Sequence, residues 1–297
     1  MADKKSPYWN PTAAMPTDFP AQCQGKQPGI QLQMNPQPVT GAPAEPSGGK
    51  LQNRVAIVTG GDSGIGQAVA AAFAKEGANL VIAYLEEQED ANKTVQMVNA
   101  AGRQCVAVRC DLRRESDAKK IVETAISAFG QADLLVNNIA VQFPQNTIEQ
   151  ISGEQLKNTF ETNVFSYFYM AKAVLPHFHQ GCGIINTTSV TAYEGSPTLL
   201  DYSATKGAIV SFTRSLSQAL APQGIRVNAV APGPVWTPLI PASFDAQKVS
   251  NFGKSVPLGR AAQPFEIAPA YVYLASDNSA CMTGQVLHVN GGVITES

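Results

Sequence analysis

The sequence lacks an excess of basic residues. Its 297 residues include 21 Lys and Arg against 23 Asp and Glu, which gives a formal net charge of −2. Residues of both signs are scattered along the chain, so no basic surface is expected for nucleic acid or an anionic membrane. This balance argues against a nucleic-acid partner.

Long apolar runs are also missing. No run approaches the roughly 20 residues that span a bilayer. The opening MADKKSPYWNP has two lysines but no apolar segment behind them. The sequence therefore predicts a cytoplasmic protein with no membrane partner.

Cysteine and histidine are few, and their spacing does not suit disulfide bonds or metal binding. The five cysteines are widely spaced, and none belongs to a CxxC pair, which argues against a disulfide scaffold and a structural zinc site. His177, His179 and Cys182 crowd together in HFHQGC, but no fourth ligand has a helix-compatible spacing. We expect reduced thiols and no metal.

What the chain does have is enough apolar sequence, 44% of its residues, for one large core. From Lys50 onward, short β-branched runs alternate with helical patterns. Alternation of this kind, with nearly all-apolar strands, predicts a parallel sheet covered on both faces. We expect a single doubly wound α/β domain of the Rossmann type over residues 50–297, with helices flanking seven parallel strands near 55–59, 80–84, 105–110, 134–138, 183–189, 226–232 and 285–289. The helical patterns cover 64–76, 87–101, 115–129, 153–178, 202–222 and 264–276.

Residues 1–49 form an arm of different composition. The first 50 residues hold nine of the chain's twenty prolines and six glutamines, without helical or alternating periodicity. Two interpretations stay open: a disordered tail, or an arm docked on its own or a neighbouring subunit through the anchors Tyr8, Trp9, Phe19, Ile30 and Met34. Because the dinucleotide core begins after Lys50, removal of residues 1–45 is expected to leave cofactor binding intact.

The stretch TGGDSGIGQAVAAAFAKEG follows the first predicted strand and opens an alanine-rich helix. In a doubly wound fold this loop lies where a helix N-terminus binds a pyrophosphate. Gly60 permits a sharp exit from the strand, and Gly64 and Gly66 allow close backbone approach. A P-loop would need Lys and then Ser or Thr after its last glycine, but Gln67 and Ala68 follow Gly66.

The spacing of Thr59, Gly60, Gly64 and Gly66 resembles the TGxxxGxG motif of the short-chain dehydrogenase/reductase family, and the resemblance covers roughly residues 50–295. The arm together with GGDSGIG resembles a bacterial subgroup with a Pro-rich N-terminal extension, often labelled general stress oxidoreductases. The resemblance implies a catalytic tetrad of Asn163, Ser189, Tyr202 and Lys206. It also implies a cofactor site formed by Gly60, Asp62, Ser63, Gly64, Ile65, Gly66, Tyr84, Leu85, Asp111, Leu112, Asn138, Ile139, Ala140, Tyr202, Lys206, Pro232, Gly233, Val235 and Thr237. Ile139 and Ala140 depart from the family's usual Ala-Gly.

The tetrad residues suit the transfer of a proton to or from an alcohol oxygen. Tyr202 and Lys206 stand four apart on one helix face. A nearby ammonium favours the phenolate, so we expect a lowered pKa for Tyr202. Ser189, at the end of the fifth strand, can hydrogen-bond the substrate oxygen. In the family, the residue matching Asn163 holds a water behind the lysine.

These features predict an NAD(P)-dependent oxidoreductase that transfers a hydride between a nicotinamide and a small alcohol, aldehyde or ketone. The alternative is a dinucleotide sensor that keeps the fold without turnover. We expect substrate contacts from Gln142, Ser189, Tyr193 and Trp236, and a lid in the irregular run PVWTPLIPASFDAQKVSNFGKS.

The choice of cofactor depends on the end of the second strand, where an acid binds the ribose of NAD and a cation the 2′-phosphate of NADP. Tyr84 and Leu85 are neutral, Ser63 replaces a basic residue, and Glu86 and Glu87 follow. We expect NAD to be preferred, with NADP possible.

Two predicted helices are apolar on more than one face. One holds Val164, Phe165, Tyr167, Phe168 and Met170, and the other holds Ala208, Ile209, Phe212 and Leu216. A helix that is apolar all round must be covered on both sides. The sequence therefore predicts a homotetramer.

Overall fold

The computed structural model describes residues 18–41 and 48–295. Its centre is a seven-stranded parallel sheet in the order β3-β2-β1-β4-β5-β6-β7. The strands are β1 Val55–Thr59, β2 Asn79–Tyr84, β3 Cys105–Arg109, β4 Leu134–Asn137, β5 Gly183–Thr187, β6 Arg226–Pro232 and β7 Val286–Val289. The strand order reverses between β1 and β4, where doubly wound folds bind their ligands.

Helices cover both faces of the sheet. They are α1 Gly64–Lys75, α2 Gln88–Ala100, α3 Glu115–Phe129, α4 Gly153–Phe160, α5 Ser166–Val174, α6 Thr191–Glu194, α7 Leu200–Leu220, α8 Leu239–Ser243, α9 Ala246–Ser250 and α10 Pro264–Ala275. One apolar cluster packs α1 and α10 on one face, and a second packs α3 and α5 on the other. The predicted fold class is confirmed.

The main departure from the predicted elements lies in the long fourth helix. The pattern over 153–178 predicts one helix, but the structure divides it into α4, a π-helical turn at Glu161–Phe165, α5 and a short 3-10 turn at Leu175–His177. The last break is explained by Pro176, which donates no backbone hydrogen bond. None of the helices in the described ranges has both the length and the apolar character needed to cross a bilayer.

Residues 18–41 of the arm lie against the chain's own domain. Phe19 and Met34 are buried in a third apolar cluster, which also contains Trp236. The Phe19 and Trp236 rings stack with centroids 3.9 Å apart. The indole N–H of Trp236 donates to the Pro36 carbonyl at 2.9 Å. Of the proposed anchors, Tyr8 and Trp9 lie outside the described residues.

Candidate active site

The glycine loop between β1 and α1 is shaped for close backbone approach. A Cβ on Gly66 would lie only 1.9 Å from the Gly60 carbonyl oxygen, so no larger residue fits there. Gly60 and Gly64 have φ angles of +62° and +52°, which favour glycine. The first N–H groups of α1 have no partner within the helix and attract an anion. These features fit a dinucleotide pyrophosphate.

A cavity of about 1010 Å³ opens at the carboxyl ends of the strands, next to this loop. Its size is at the upper end of the roughly 300–1,000 Å³ typical of small-molecule and cofactor sites. Most of the predicted cofactor residues contribute to its wall: Gly60, Asp62, Ser63, Gly64, Ile65, Leu85, Asp111, Leu112, Asn138, Ile139, Ala140, Pro232, Gly233, Val235 and Thr237. The cavity therefore combines a place for a dinucleotide with room beside it.

Ser189, Tyr202 and Lys206 line the same cavity, and we call this part its tyrosine end. Lys206 is 1% exposed, and its Nζ donates to the Thr187 carbonyl at 2.9 Å. The same Nζ lies 5.5 Å from the centre of the Tyr202 ring. Ser189 follows β5 and accepts a hydrogen bond from the Thr191 N–H at 3.2 Å.

Burial dominates the protonation of this pair, contrary to the expected lowering of the tyrosine pKa. Removal from water raises the pKa of Tyr202 to about 12, and only its hydrogen bond with Ser189 opposes the shift. Burial also lowers the pKa of Lys206 to about 7, which weakens any electrostatic help to a phenolate. At neutral pH Tyr202 is therefore a protonated group able to donate.

Asn163 lies within the π-helical turn, 0% exposed and behind the cavity wall. Its amide forms a two-way bridge with the Val141 backbone: Oδ1 accepts from the N–H at 2.8 Å, and Nδ2 donates to the carbonyl at 2.9 Å. Nδ2 also donates to Thr205 Oγ1 at 3.1 Å, next to Lys206 in sequence. Such π-helical turns are frequent at functional sites.

The opposite part of the cavity, its acidic end, is formed by Asp62, Glu86 and Glu87. Burial raises the pKa of Asp62 to about 7, and Glu87 and Asp90 add to the shift. Burial also raises the pKa of Glu87. Within the described ranges, Glu87 Oε1 is buried and has no hydrogen-bond partner, so it can accept from a ligand hydroxyl.

The arm is part of the cavity wall, which the sequence did not reveal. Gln27, Pro28 and Gly29 line it. Gln31 is 0% exposed, and its Oε1 accepts from the Gly64 N–H at 2.8 Å, inside the glycine loop. The expectation that cofactor binding is independent of the arm therefore loses its structural basis. No periodicity marks these residues, so no sequence signal could have found them.

Several predicted residues lie outside the wall. Trp236, expected to contact the substrate, is 0% exposed and instead anchors the arm. Tyr193 packs edge-on against His288, with ring centroids 4.6 Å apart. Tyr84 is buried, with its hydroxyl hydrogen-bonded to Gln88, and Gly66 shapes the loop from behind. Of the predicted substrate residues, Gln142 and Ser189 do line the cavity.

His179 and Cys182 of the HFHQGC segment lie at the amino ends of the strands, away from the cavity. Asp133, His179 and Cys182 bring one ligand atom each within 4.8 Å of one another. Asp133 and Cys182 directly precede β4 and β5, so this cluster marks the amino ends of the strands. His179 Nε2 lies 3.7 Å from an Asp133 oxygen. The cluster is remote from the cavity and has no part in its chemistry.

Comparison with known proteins agrees with this geometry. A family model described as enoyl-(acyl carrier protein) reductase matches residues 60–294. General stress protein 39 of Bacillus subtilis is 50% identical, with 94% of this chain and 98% of the relative covered. The chain belongs to the short-chain dehydrogenase/reductase family. Two plant members are similar: glucose and ribitol dehydrogenase of Daucus carota, 51% identical over 93% of this chain and 97% of the relative, and NADPH-dependent aldehyde reductase 1, chloroplastic, of Arabidopsis thaliana, 48% identical over 93% and 98%.

Solved members of this short-chain dehydrogenase/reductase family share the fold. A short-chain dehydrogenase from Burkholderia cenocepacia in complex with NADP has a TM-score of 0.77 at 27% identity, covering 82% of this chain and 98% of its own. A 3-ketoacyl-(acyl-carrier-protein) reductase from Brucella melitensis complexed with NADH has a TM-score of 0.74 at 35% identity, with the same coverage. The protein is an NAD(P)-dependent oxidoreductase.

Proposed function

We propose that the protein transfers a hydride between a nicotinamide cofactor and a small alcohol, aldehyde or ketone, with Tyr202 as the general acid and base. The observation that carries this proposal is that one cavity joins the glycine loop of α1 to Ser189, Tyr202 and Lys206. The names of the plant relatives, a glucose and ribitol dehydrogenase and an NADPH-dependent aldehyde reductase, agree with a small alcohol or carbonyl substrate.

When bound, the nicotinamide supplies or accepts the hydride. The chain's own residues bind the substrate oxygen and transfer its proton. Ser189 donates a hydrogen bond to the substrate oxygen, and Tyr202, which is protonated because burial raises its pKa to about 12, gives it a proton during carbonyl reduction. Lys206 orients the cofactor ribose from the floor of the cavity, and Asn163 fixes the wall behind it through Val141.

We propose NAD as the preferred cofactor. Glu86 and Glu87 line the cavity at the carboxyl end of β2, where an acidic side chain accepts a hydrogen bond from the ribose 2′-hydroxyl. The unpartnered Oε1 of Glu87 is suited to this role. A 2′-phosphate would face both carboxylates, a repulsion on the order of 1 kcal/mol.

A panel of alcohols and carbonyl compounds, assayed with both nicotinamide cofactors, tests these proposals. Turnover of at least one polyol, sugar or small aldehyde is expected, with a higher kcat/KM for NAD. Cofactor binding without turnover of any compound would favour the sensor alternative, and a clear preference for NADP would contradict the assignment of the acidic end.

We also infer a homotetramer. Phe165 and Phe168 of the α5 region are 44% and 50% exposed, and Phe168 packs against Phe212 of α7 with ring centroids 4.2 Å apart. Tyr167 and Met170 face the core instead, so these helices are apolar on two sides. Light scattering should give four times the chain mass, and a monomer at micromolar concentration would refute the inference.

A further inference from the structure

A lysine of the arm lies beside the acidic end of the cavity, sixty residues away in sequence. Lys26 Nζ is 3.1 Å from Glu86 Oε2, and both side chains are about half exposed, 58% and 51%. Glu86 lines the cavity at the carboxyl end of β2. The loops that usually carry a cation for the 2′-phosphate have none here, because Leu85 and Ser63 occupy the places where a basic residue would stand.

The backbone that carries Lys26 is held from several sides. The side-chain amide of Gln27 pairs with the Gln142 backbone, accepting from its N–H at 3.2 Å and donating to its carbonyl at 2.5 Å. The Gln24 N–H donates to the Pro241 carbonyl at 2.6 Å. A Cβ on Gly29 would lie 2.3 Å from the Pro238 carbonyl oxygen, so the arm lies directly on the lid segment. Lys26 therefore has a defined position relative to the cavity.

Two other cationic residues, Arg109 and Arg113, lie at or just after the carboxyl end of β3, and their contacts differ from those of Lys26. Arg113 is paired with Asp111, with nitrogen–oxygen distances of 2.8 to 3.2 Å. The Arg109 Nε donates to the Leu85 carbonyl at 3.0 Å, but Arg109 is not among the described residues that line the cavity. Lys26 is not among them either, but its Nζ forms a single 3.1 Å ion pair with Glu86, which does line the cavity. Arg113 lines the cavity as well, but its three contacts with Asp111 hold it in place.

We propose that Lys26 is a specificity-determining residue that admits the 2′-phosphate of NADP to the acidic end. With NAD bound, Lys26 stays paired with Glu86. With NADP bound, its ammonium turns from the carboxylate to the phosphate, which carries more charge. The arm thereby reduces the discrimination against NADP that the acids alone would impose. This proposal rests on the proposed nicotinamide site.

The test measures binding to the full-length protein, without turnover. Dissociation constants for NAD, NADP, 5′-AMP and 2′,5′-ADP are obtained by calorimetry, because the last two probes differ mainly in the 2′-phosphate. Lys26→Met should weaken NADP and 2′,5′-ADP about tenfold and leave NAD and 5′-AMP within about twofold. Glu86→Gln should strengthen NADP by roughly threefold or more, because Lys26 is then released.

Two control variants sharpen the result. Lys50→Met removes a lysine paired with Glu76 at 3.4 Å near the amino end of β1, and should leave all four constants unchanged. Arg109→Met tests a rival cation at the carboxyl end of β3 and should change the NADP to NAD ratio less than Lys26→Met. Because surface ion pairs contribute little to stability, the variants should melt within about two degrees of the native protein.

Three results would overturn the proposal. The first is a ratio of NADP to NAD dissociation constants that Lys26→Met leaves within twofold. The second is a larger loss from Arg109→Met. The third is a native protein that binds NAD and 5′-AMP but neither phosphorylated probe; the nicotinamide site then survives and the role of Lys26 does not. A native protein that binds none of the four ligands contradicts both the site and the role of Lys26.

Discussion

The two ends of the cavity are built from different parts of the chain. At the tyrosine end, Ser189 follows β5 and both Tyr202 and Lys206 stand on α7, so elements of the core fix every group. At the acidic end, the loop after β2 meets residues 26–31 of the arm, whose described residues 18–41 contain one short 3-10 turn at Gln31–Gln33. The proposed catalytic groups thus stand on the regular fold, whereas the wall at the acidic end also includes a segment without periodicity.

The largest expected effect is at the tyrosine end. Lys206→Met should lower kcat by about 10²-fold and also weaken cofactor binding, because Lys206 orients the cofactor ribose beside Tyr202. The fold should survive, since methionine fills a similar volume and Lys206 is buried with a pKa lowered to about 7. Steady-state kinetics and cofactor titration give both effects.

Lys172→Met is the matched control, because that exposed lysine of α5 pairs only with Glu115 at 2.8 Å within the described ranges. It should leave kcat unchanged. A Lys206→Met rate within threefold of the native rate would mean that the tyrosine end does not depend on the lysine.

The next largest expected effect concerns the hydrogen bonds by which the arm stabilises the glycine loop. Gln31→Ala leaves the Gly64 N–H without its acceptor and removes the 2.6 Å hydrogen bond to Gln67 Oε1. Unpaired buried polar groups cost about 1–3 kcal/mol, so the free energy of unfolding should fall by that amount. Denaturant unfolding measures it.

Gln33→Ala is the control for the arm, since Gln33 is exposed two residues further along. It should change the unfolding free energy by less than about 0.5 kcal/mol. Equal losses in the two variants would show that the Gln31 contacts contribute nothing particular to the loop.

The smallest effect concerns protonation at the acidic end. Burial raises the pKa of Asp62 from 3.8 to about 7, so between these values the folded state holds a proton that the unfolded state has released. The stability from this group is therefore complete below about pH 4 and is lost as the pH rises through 7. Asp62→Asn should remove this pH dependence, which changes the free energy of unfolding by at most about 1.4 kcal/mol per pH unit.

Denaturant unfolding at several pH values between 4 and 7, without ligand, measures that slope. Glu123→Gln, an exposed carboxyl on α3, is the control and should keep the native profile. An Asp62→Asn profile parallel to the native one would mean that Asp62 is ionised in the folded protein.

Helices and strands whose residue pattern repeats along the element could be predicted from the sequence. β1, β6 and α3 have the predicted bounds, because buried parallel strands are continuous apolar runs and α3 has a clear amphipathic period. The glycine loop could also be predicted, because its glycines lie close together in the sequence.

Contacts between segments that are distant in sequence could not be predicted. Trp236 is next to Thr237, which lines the cavity, but sequence cannot tell which side of an irregular run faces a ligand. Its true partner, Pro36, is 200 residues away. The predicted sign of the Tyr202 pKa shift was wrong for a different reason: the expected ammonium is close, but burial of both groups, which depends on the packing of the whole fold, outweighs it.

Tyr202→Phe tests the central claim most directly, because the ring keeps its packing and only the titrating hydroxyl is lost. The rate of nicotinamide absorbance change with the best substrate, measured beside the cofactor dissociation constant, separates chemistry from binding. We predict a loss of about 10²–10⁴-fold in kcat with cofactor affinity within about twofold, while Tyr273→Phe, on the exposed side of α10, keeps the native rate. A Tyr202→Phe enzyme that turns over at a near-native rate would contradict the account.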